Sequence, residues 1–150
     1  MRPLPKVKVL FLCTGNACRS QMAEGWARHL KADVIEPYSA GIELGALDPR
    51  AVRVMAEAGV DIAGQRAKHV DEVKDVQFDC VVTVCDHARE LCPRFPGRAR
   101  LVHASFDDPP RLARDAKTEE EALAHYRRVR DEIKEFVNGL PEALRKAPNR

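Results

Sequence analysis

Cys13 and Arg19 stand six positions apart in the stretch Cys13-Thr-Gly-Asn-Ala-Cys-Arg19-Ser20. A Gly-containing turn of this length between a strand and a helix aims successive backbone N–H groups inward, and the positive end of the helix dipole adds to their field. Such a turn binds a tetrahedral oxyanion, and the planar guanidinium of Arg19 matches two oxyanion oxygens as a lysine cannot. The predicted oxyanion-binding residues are Thr14, Gly15, Asn16, Ala17, Cys18, Arg19 and Ser20.

Cys13 is the predicted nucleophile of this stretch, which we call the oxyanion loop (residues 13–20). A field that binds an anion also favours thiolate over thiol, and cysteines at helix N-termini or beside cations have pKa values of about 3.5 to 7.5. We therefore expect a lowered pKa for Cys13, with Ser20 hydrogen-bonded to its sulfur. The alternative is an ordinary turn with a buried cysteine. A nucleotide-binding P-loop is excluded because no G-x-x-x-x-G-K-[ST] pattern is present.

The longer stretch Cys13-Thr-Gly-Asn-Ala-Cys-Arg-Ser-Gln-Met-Ala-Glu24 resembles the active-site signature of the low-molecular-weight protein tyrosine phosphatases and their arsenate-reducing relatives. The order and spacing of the elements match that family over nearly the whole chain. The resemblance implies a low-molecular-weight phosphatase-like fold, with a four-stranded parallel sheet flanked by helices. It also implies that the oxyanion loop holds the substrate while Cys13 attacks its central atom.

Cys85 and Cys92 lie seven positions apart, just after a strongly apolar run. A phosphatase needs neither thiol, whereas the reduction of As(V) to As(III) takes two electrons, which two thiols supply by forming a disulfide. The resemblance to thioredoxin-coupled arsenate reductases implies a relay in which Cys13 attacks arsenate, Cys85 attacks Cys13 and expels arsenite, and Cys92 attacks Cys85. Thioredoxin would then reduce the Cys85–Cys92 disulfide.

The spacing of these two cysteines also predicts a conformational change in the redox segment (residues 85–92). If the segment were helical, the Cα atoms of Cys85 and Cys92 would lie roughly 10.5 Å apart at 1.5 Å per residue, whereas a disulfide tolerates at most about 7 Å. We therefore predict a helix or loop in the reduced protein that partly unwinds on oxidation. Alternatively, both cysteines are small buried hydrophobic residues, as is favoured for Cys80 inside a strand. Zinc binding with His87 would have an unusual ligand spacing.

Asp107 and Asp108 precede two prolines near the end of the last predicted strand, where a carboxylic acid can protonate a departing oxygen. The resemblance implies the aspartate directly before proline, so Asp108 is the predicted general acid and Asp107 the alternative. Phosphatases of this family usually follow Asp-Pro with an aromatic residue. This chain has Pro110 there, which argues against aryl phosphate specificity.

Some reductases of the family hold a potassium ion through an Asn, a Glu, a Ser and a Thr-x-Asp stretch. Asn16, Glu24 and Ser39 match the first three, but Arg66 and Lys68 stand where the Thr and Asp are expected. A cation would there meet positive side chains instead of oxygen ligands. We therefore predict no potassium site, no other metal and no cofactor. Lys68 either replaces the ion with its ammonium or is simply solvated.

The elements that must position these residues alternate between strands and helices. Apolar runs predict strands at 6–12, 34–40, 79–84 and 100–103, and helical spacing predicts helices at 19–30 and 50–58 and a long one opened by the capping-box pattern of Thr118 and Glu121. This order predicts a single α/β domain over residues 1–150, a three-layer open parallel sheet with the site at the carboxyl ends of its strands.

The composition excludes several classes of function. The 150 residues carry 25 basic and 23 acidic side chains without a basic stripe, which disfavours nucleic acid. No apolar run approaches the roughly 20 residues that span a membrane, and five cysteines fit poorly with a secreted disulfide framework. We expect a cytoplasmic monomer whose partners are arsenate and thioredoxin. The alternatives are a phosphatase of the same fold, whose activity would also fit a weak side reaction, and a non-enzymatic thiol redox sensor.

Overall fold

The computed structural model describes residues 5–93, 95, 97 and 99–146. Its centre is a parallel sheet of four strands in the order β2-β1-β3-β4. Each strand lies within one residue of its predicted position. The strands are β1 (Val7–Cys13), β2 (Ile35–Gly41), β3 (Cys80–Thr83) and β4 (Arg100–His103).

Helices flank the sheet, and within the described ranges there are six. α1 (Arg19–Leu30), α2 (Pro49–Glu57) and α5 (Glu119–Asn138) are the long helices that the hydrophobic spacing predicts. They pack against one another, and Trp26 of α1 is buried between them with its indole N–H donating to the Arg130 carbonyl at 3.1 Å. The short helices, which the sequence did not define, are α3 (Asp86–Glu90), α4 (Pro109–Ala113) and α6 (Glu142–Lys146). None of the described helices is long and apolar enough to cross a membrane.

Local capping explains where two of the long helices begin. Asp48 caps α2, because its carboxylate accepts the Arg50 N–H at 2.9 Å. Thr118 caps α5 by accepting the Glu121 N–H at 3.1 Å. The Glu121 carboxylate returns to the N–H of Lys117, one residue before the cap, so the predicted capping box forms with a shifted partner.

The strand register brings the predicted functional residues to one edge of the sheet. Cys13 at the end of β1 pairs with Gly41 at the end of β2. Thr83 at the end of β3 pairs with His103 at the end of β4. The segments that follow β1, β3 and β4 therefore leave the sheet side by side, as expected for the carboxyl edge of a parallel sheet.

Candidate active site

The oxyanion loop presents backbone N–H groups to a cavity at this edge. Four of its carbonyl groups instead accept hydrogen bonds from chain that does not line the cavity. In a planar trans peptide the next N–H points opposite to the carbonyl, so these peptides aim the N–H groups of the following residues inward. The four pairs are Cys13 with Ile42 N–H at 3.0 Å, Thr14 with Glu43 N–H at 2.8 Å, Asn16 with the Gln21 amide at 2.9 Å, and Ala17 with Asp48 N–H at 2.9 Å.

The cavity over the loop has a volume of about 200 Å³. Five of the seven residues predicted to bind the oxyanion line it, together with Cys13 and the predicted acid. A donor-rich wall of this kind suits a small anion rather than an apolar ligand. The lining residues are Cys13, Thr14, Gly15, Ala17, Cys18, Arg19, Asp108 and Pro110.

Asn16 and Ser20 are the exceptions, because they do not line the cavity, and their part in substrate binding stays a prediction. Both are fully buried beneath the loop. The Asn16 backbone has a φ of 54°, which asparagine tolerates better than most residues. Its amide donates to Ser20 Oγ at 2.8 Å, and its Oδ1 accepts from Gln21 at 3.0 Å and from the Lys68 N–H at 2.8 Å. The Asn16 side chain therefore fixes the shape of the loop.

Cys13 makes the hydrogen bond expected of it, with its Sγ 2.7 Å from Ser20 Oγ. Because Asn16 donates to that hydroxyl oxygen, the Ser20 proton is free to point at sulfur. Burial nevertheless raises the pKa of the Cys13 thiol, against the Ser20 hydrogen bonds and the charge of Arg19, which lower it. The prediction of a lowered pKa is therefore wrong in this structure, since desolvation outweighs the favourable field.

The raised pKa of Cys13 predicts a measurable pH dependence of its reactivity. With the pKa of Cys13 raised from its ordinary 9.0, the reactive thiolate is scarce near neutrality, and alkylation by iodoacetamide should accelerate about tenfold per pH unit from pH 7 upward. Peptide mass spectrometry follows the label on Cys13. In Ser20→Ala the rate at each pH should drop, because the hydroxyl hydrogen bond that lowers the pKa of Cys13 is lost while the backbone N–H bond remains. A plateau below pH 7 would contradict the raised pKa.

Arg19 and Asp108 meet across the mouth of the cavity. One Arg19 nitrogen donates to the Phe106 carbonyl at 2.9 Å, and the other lies 3.7 Å from Asp108 Oδ1. Both contacts join the arginine to the acid loop (residues 106–108). The Asp107 carboxylate instead pairs with Arg128 at 3.1 Å and does not line the cavity. This geometry agrees with Asp108 as the acid, and its catalytic role stays a prediction.

The second predicted thiol lies against the oxyanion loop. Cys85 is only 4% exposed, and its Sγ is 3.4 Å from Thr14 Oγ1. Cys85 also caps α3, where its Sγ accepts the Ala88 N–H at 3.4 Å. A negative charge on Cys85 is one of the factors that raise the pKa of Cys13, which reflects how near the two sulfur atoms are.

The third predicted thiol lies beyond α3 and nearer to solvent. Cys92 is half-buried, its pKa is raised by that burial, and its neighbour Leu91 is 53% exposed. All five cysteines of the chain are free thiols. The reduced redox segment is thus helical over Asp86–Glu90, which confirms the reduced half of the prediction. Its unwinding on oxidation stays a prediction.

Comparison with known proteins establishes the family. Residues 8–150 match the family described as low molecular weight phosphotyrosine protein phosphatase. The chain belongs to this phosphatase family. Curated relatives include the arsenate reductase of Bacillus subtilis, 48% identical over 133 residues, covering 86% of this chain and 94% of that protein. The arsenate reductase of Halalkalibacterium halodurans is 45% identical over 137 residues, covering 91% and 96%.

Solved structures agree with that assignment. One described as an arsenate reductase in the phosphate binding state superposes with a TM-score of 0.75 at 31% identity, covering 95% of this chain and 99% of the other. The phosphatase-family fold that the oxyanion loop implied is therefore confirmed.

In this member of the phosphatase family, the ammonium group of Lys68 lies beside Glu24, one of the residues considered for a potassium site. Lys68 Nζ donates to the Arg66 carbonyl at 3.1 Å and lies 3.9 Å from Glu24 Oε1. The same carboxylate oxygen accepts from Ser39, and Arg28 pairs with the other oxygen at 2.6 Å. Burial lowers the pKa of Lys68, and Glu24 counteracts it. Across the described part of the chain, no group of three His, Cys, Asp or Glu could hold a metal.

Potassium should therefore not activate the protein. Two cations already neutralise the Glu24 carboxylate, so exchanging sodium for potassium at constant ionic strength should leave turnover and melting temperature unchanged. The variant Lys68→Gln removes one of these two charges, and it should gain a potassium-specific rise in melting temperature. Differential scanning fluorimetry measures both. A potassium response of the unaltered protein would refute the prediction.

Sequence reasoning missed residues that support the oxyanion loop from outside it. A Cβ on Gly41 would lie 2.7 Å from Asn16 N and from the Thr14 carbonyl oxygen, and one on Gly45 would lie 2.4 Å from the Gly15 oxygen. Gln21, fully buried, donates to Asn16 as well. The sequence signal that could have identified Gly41 is its position at the end of the strand beside the loop, because glycine is typical of places where backbone segments approach closely.

Gly41→Ala should disable the site. The added methyl group meets backbone atoms, which cannot rotate away, so the loop must move. A displacement near 1 Å costs about 100-fold in kcat/KM, and steady-state kinetics should show at least that loss. Gly64→Ala is the matched control, because nothing lies within 4 Å of its Cβ. Equal activity of the two variants would show that the loop tolerates the contact.

Proposed function

We propose that this protein reduces arsenate to arsenite by a thiol and disulfide relay through Cys13, Cys85 and Cys92, and that thioredoxin regenerates it. The observation that carries the proposal is the buried Cys85 thiol, which contacts Thr14 of the oxyanion loop while Cys92 follows one short helix later. Hydrolysis of a phosphate ester would need neither of these thiols. The names of the curated relatives support the same activity.

The oxyanion loop and Arg19 bind arsenate and orient its arsenic atom over Cys13. The Cys13 sulfur forms a bond to arsenic, and one As–O bond breaks. Asp108 supplies a proton to the departing oxygen, and the proton of the Cys13 thiol completes the balance, so that water leaves. Because the pKa of Cys13 is raised, loss of the thiol proton belongs to this step and does not precede it.

Electron transfer follows when the Cys85 sulfur attacks Cys13. The new S–S bond forms, and the electron pair of the As–S bond stays on arsenic, which leaves as As(III) and takes up protons as arsenite. Thr14 contacts Cys85 and also lines the cavity, so its hydroxyl can guide this attack. Cys92 then attacks Cys85 and releases the Cys13 thiol. The dithiol of thioredoxin returns the two electrons.

Arsenate-dependent oxidation of NADPH tests the proposal, in the presence of thioredoxin and thioredoxin reductase. We expect one arsenite formed per NADPH consumed. The competing function is a phosphatase, and p-nitrophenyl phosphate separates the two. Fast hydrolysis of that ester without arsenate-dependent NADPH consumption would overturn the proposal. Pro110 lines the cavity where family phosphatases place an aromatic residue, so we expect only weak hydrolysis.

We also propose that residues 1–150 act as one domain, as a cytoplasmic monomer that needs no metal or cofactor. The single sheet, with α1 and α3 packed on it and α2, α4 and α5 packed on α1 or on one another, supports one domain, and the free cysteines suit a reducing compartment. Light scattering coupled to gel filtration tests the monomer, and activity after chelation tests the absence of a metal.

A further inference from the structure

His103, the last residue of β4, makes hydrogen bonds on both sides of Cys85. Its Nδ1 lies 2.7 Å from Thr83 Oγ1, and its Nε2 lies 2.9 Å from Asp86 Oδ1. Thr83 ends β3 two residues before Cys85, and Asp86 begins α3 one residue after it. The imidazole therefore joins the end of the sheet to the first residue of the helix in the redox segment.

Hydrogen-bonding capacity fixes the roles in this arrangement. An ionised Asp86 can only accept, so Nε2 carries a proton and donates to it. Neutral Nδ1 then accepts from the Thr83 hydroxyl, whose contact with the Val102 carbonyl is longer at 3.5 Å. The order Thr, His, Asp is that of a hydrolytic triad, but Thr83 is 5% exposed within β3, where no substrate reaches its hydroxyl.

α3 has few other attachments to the fold. It is five residues long, too short to be stable by itself. Of its side chains only Ala88 is buried, while His87, Arg89 and Glu90 are exposed. Among the residues that the structure describes, Asp86 to His103 is the one side-chain hydrogen bond from α3 to the sheet. Loss of that bond should therefore lower the stability of α3.

We propose that His103 and Asp86 are positioning residues of the thiol relay, which hold the first turn of α3 on the sheet and so stabilise the dithiol form over the Cys85–Cys92 disulfide. The inference rests on the proposed relay. Cys85 caps the start of α3 and Cys92 lies two residues beyond its last residue, so the helix spans most of the chain between two Cα atoms that a disulfide requires within about 7 Å. On this proposal oxidation disrupts α3, and the energy of the Asp86–His103 bond favours the reduced state.

The dithiol–disulfide equilibrium in glutathione buffers tests this role. Cys13→Ser provides the background, so that the exchange is limited to one protein disulfide formed per oxidised glutathione consumed, with two reduced glutathiones released. Alkylation and mass spectrometry quantify both forms. Asp86→Ala should raise the equilibrium constant for oxidation about 2- to 5-fold, as expected for one hydrogen bond to a carboxylate whose side chain is 78% exposed. Fivefold corresponds to about 20 mV.

Matched variants separate positioning from general destabilisation. Glu90→Ala lies on the same helix, is exposed and should leave the equilibrium unchanged. Asp86→Asn keeps an oxygen that can accept the hydrogen bond from His103. Its equilibrium constant for oxidation should therefore lie closer to that of the unaltered protein than to that of Asp86→Ala. His103→Gln should match Asp86→Ala, and combining His103→Gln with Asp86→Ala should add nothing further, because each removes the same bond.

Two kinds of failure can be told apart. If the Cys85–Cys92 disulfide forms but Asp86→Ala and Glu90→Ala have the same equilibrium constant, the positioning role is refuted and the relay stands. If no variant forms that disulfide and the unaltered protein consumes no NADPH with arsenate, the proposed function and this inference are both refuted.

Discussion

Cys92→Ser should complete about one arsenate reduction per molecule and then stop. Cys13 and Cys85 together hold the two electrons that one arsenate requires, so the first arsenite still forms. The resulting Cys13–Cys85 disulfide joins two sulfurs on residues that are each only 4% exposed, which keeps it from thioredoxin. In the proposed relay, half-buried Cys92 is the thiol that carries the oxidation outward. Steady-state NADPH consumption should drop about 10³-fold or more, as for loss of a residue that acts within one catalytic unit.

Rapid quenching gives the measurement for this variant, with arsenite counted against protein. The mass of the stalled protein should have fallen by two hydrogen atoms, and digestion should yield Cys13 joined to Cys85. Cys80→Ala is the control, because Cys80 is buried in β3 outside the relay. Continued turnover by Cys92→Ser would show that thioredoxin reaches an earlier disulfide and that the third thiol is not needed.

Arg19→Lys should lose about 10²- to 10³-fold in kcat/KM although it keeps the positive charge. A lysine presents one ammonium in place of the planar fork, so it cannot hold two oxyanion oxygens while donating to the Phe106 carbonyl as Arg19 does at 2.9 Å. The size of the loss is that expected for one misplaced group that stabilises developing charge.

Arsenate titration and single-turnover rates locate the defect of Arg19→Lys. Both the affinity for arsenate and the first chemical step should weaken, because the guanidinium also holds the acid loop near the cavity through Asp108 at 3.7 Å. Arg114→Lys is the matched control on an exposed arginine of the same chain. A loss in Arg19→Lys no larger than in Arg114→Lys would mean that charge alone suffices.

The strands and long helices could be predicted because their signals are local. The apolar run before Cys13 and the spacing of apolar residues in α5 depend only on neighbouring positions, and both elements lie close to their predicted bounds. α3 and α4 have five residues each, which is little more than one turn and too short for a period to appear. α3 buries only Ala88, and α4 buries Pro109 and Ala113, so contacts with the rest of the fold decide where these helices form.

Some features of the site are set by residues that are neighbours in sequence, and others by residues that are distant in sequence. The oxyanion loop and Arg19 belong to one continuous motif, so their types and spacing were sufficient. Gly41 reaches the loop only through the register of two strands, which no local pattern encodes. The sign of the pKa shift at Cys13 depends on how deeply the fold buries the thiol. Charged residues such as Arg19 can be read from the sequence, whereas the burial of a thiol depends on the whole fold.

The way the oxyanion loop binds has a consequence for selectivity inside a cell. Backbone N–H groups and a guanidinium recognise a tetrahedral shape and negative charge, which arsenate and phosphate share. Phosphate must therefore compete for the same cavity, and binding alone cannot reject it. Discrimination falls to the electron-transfer step, because thiols reduce As(V) but not phosphorus in phosphate. The rate of arsenate reduction should then follow the ratio of arsenate to phosphate and not the arsenate concentration alone.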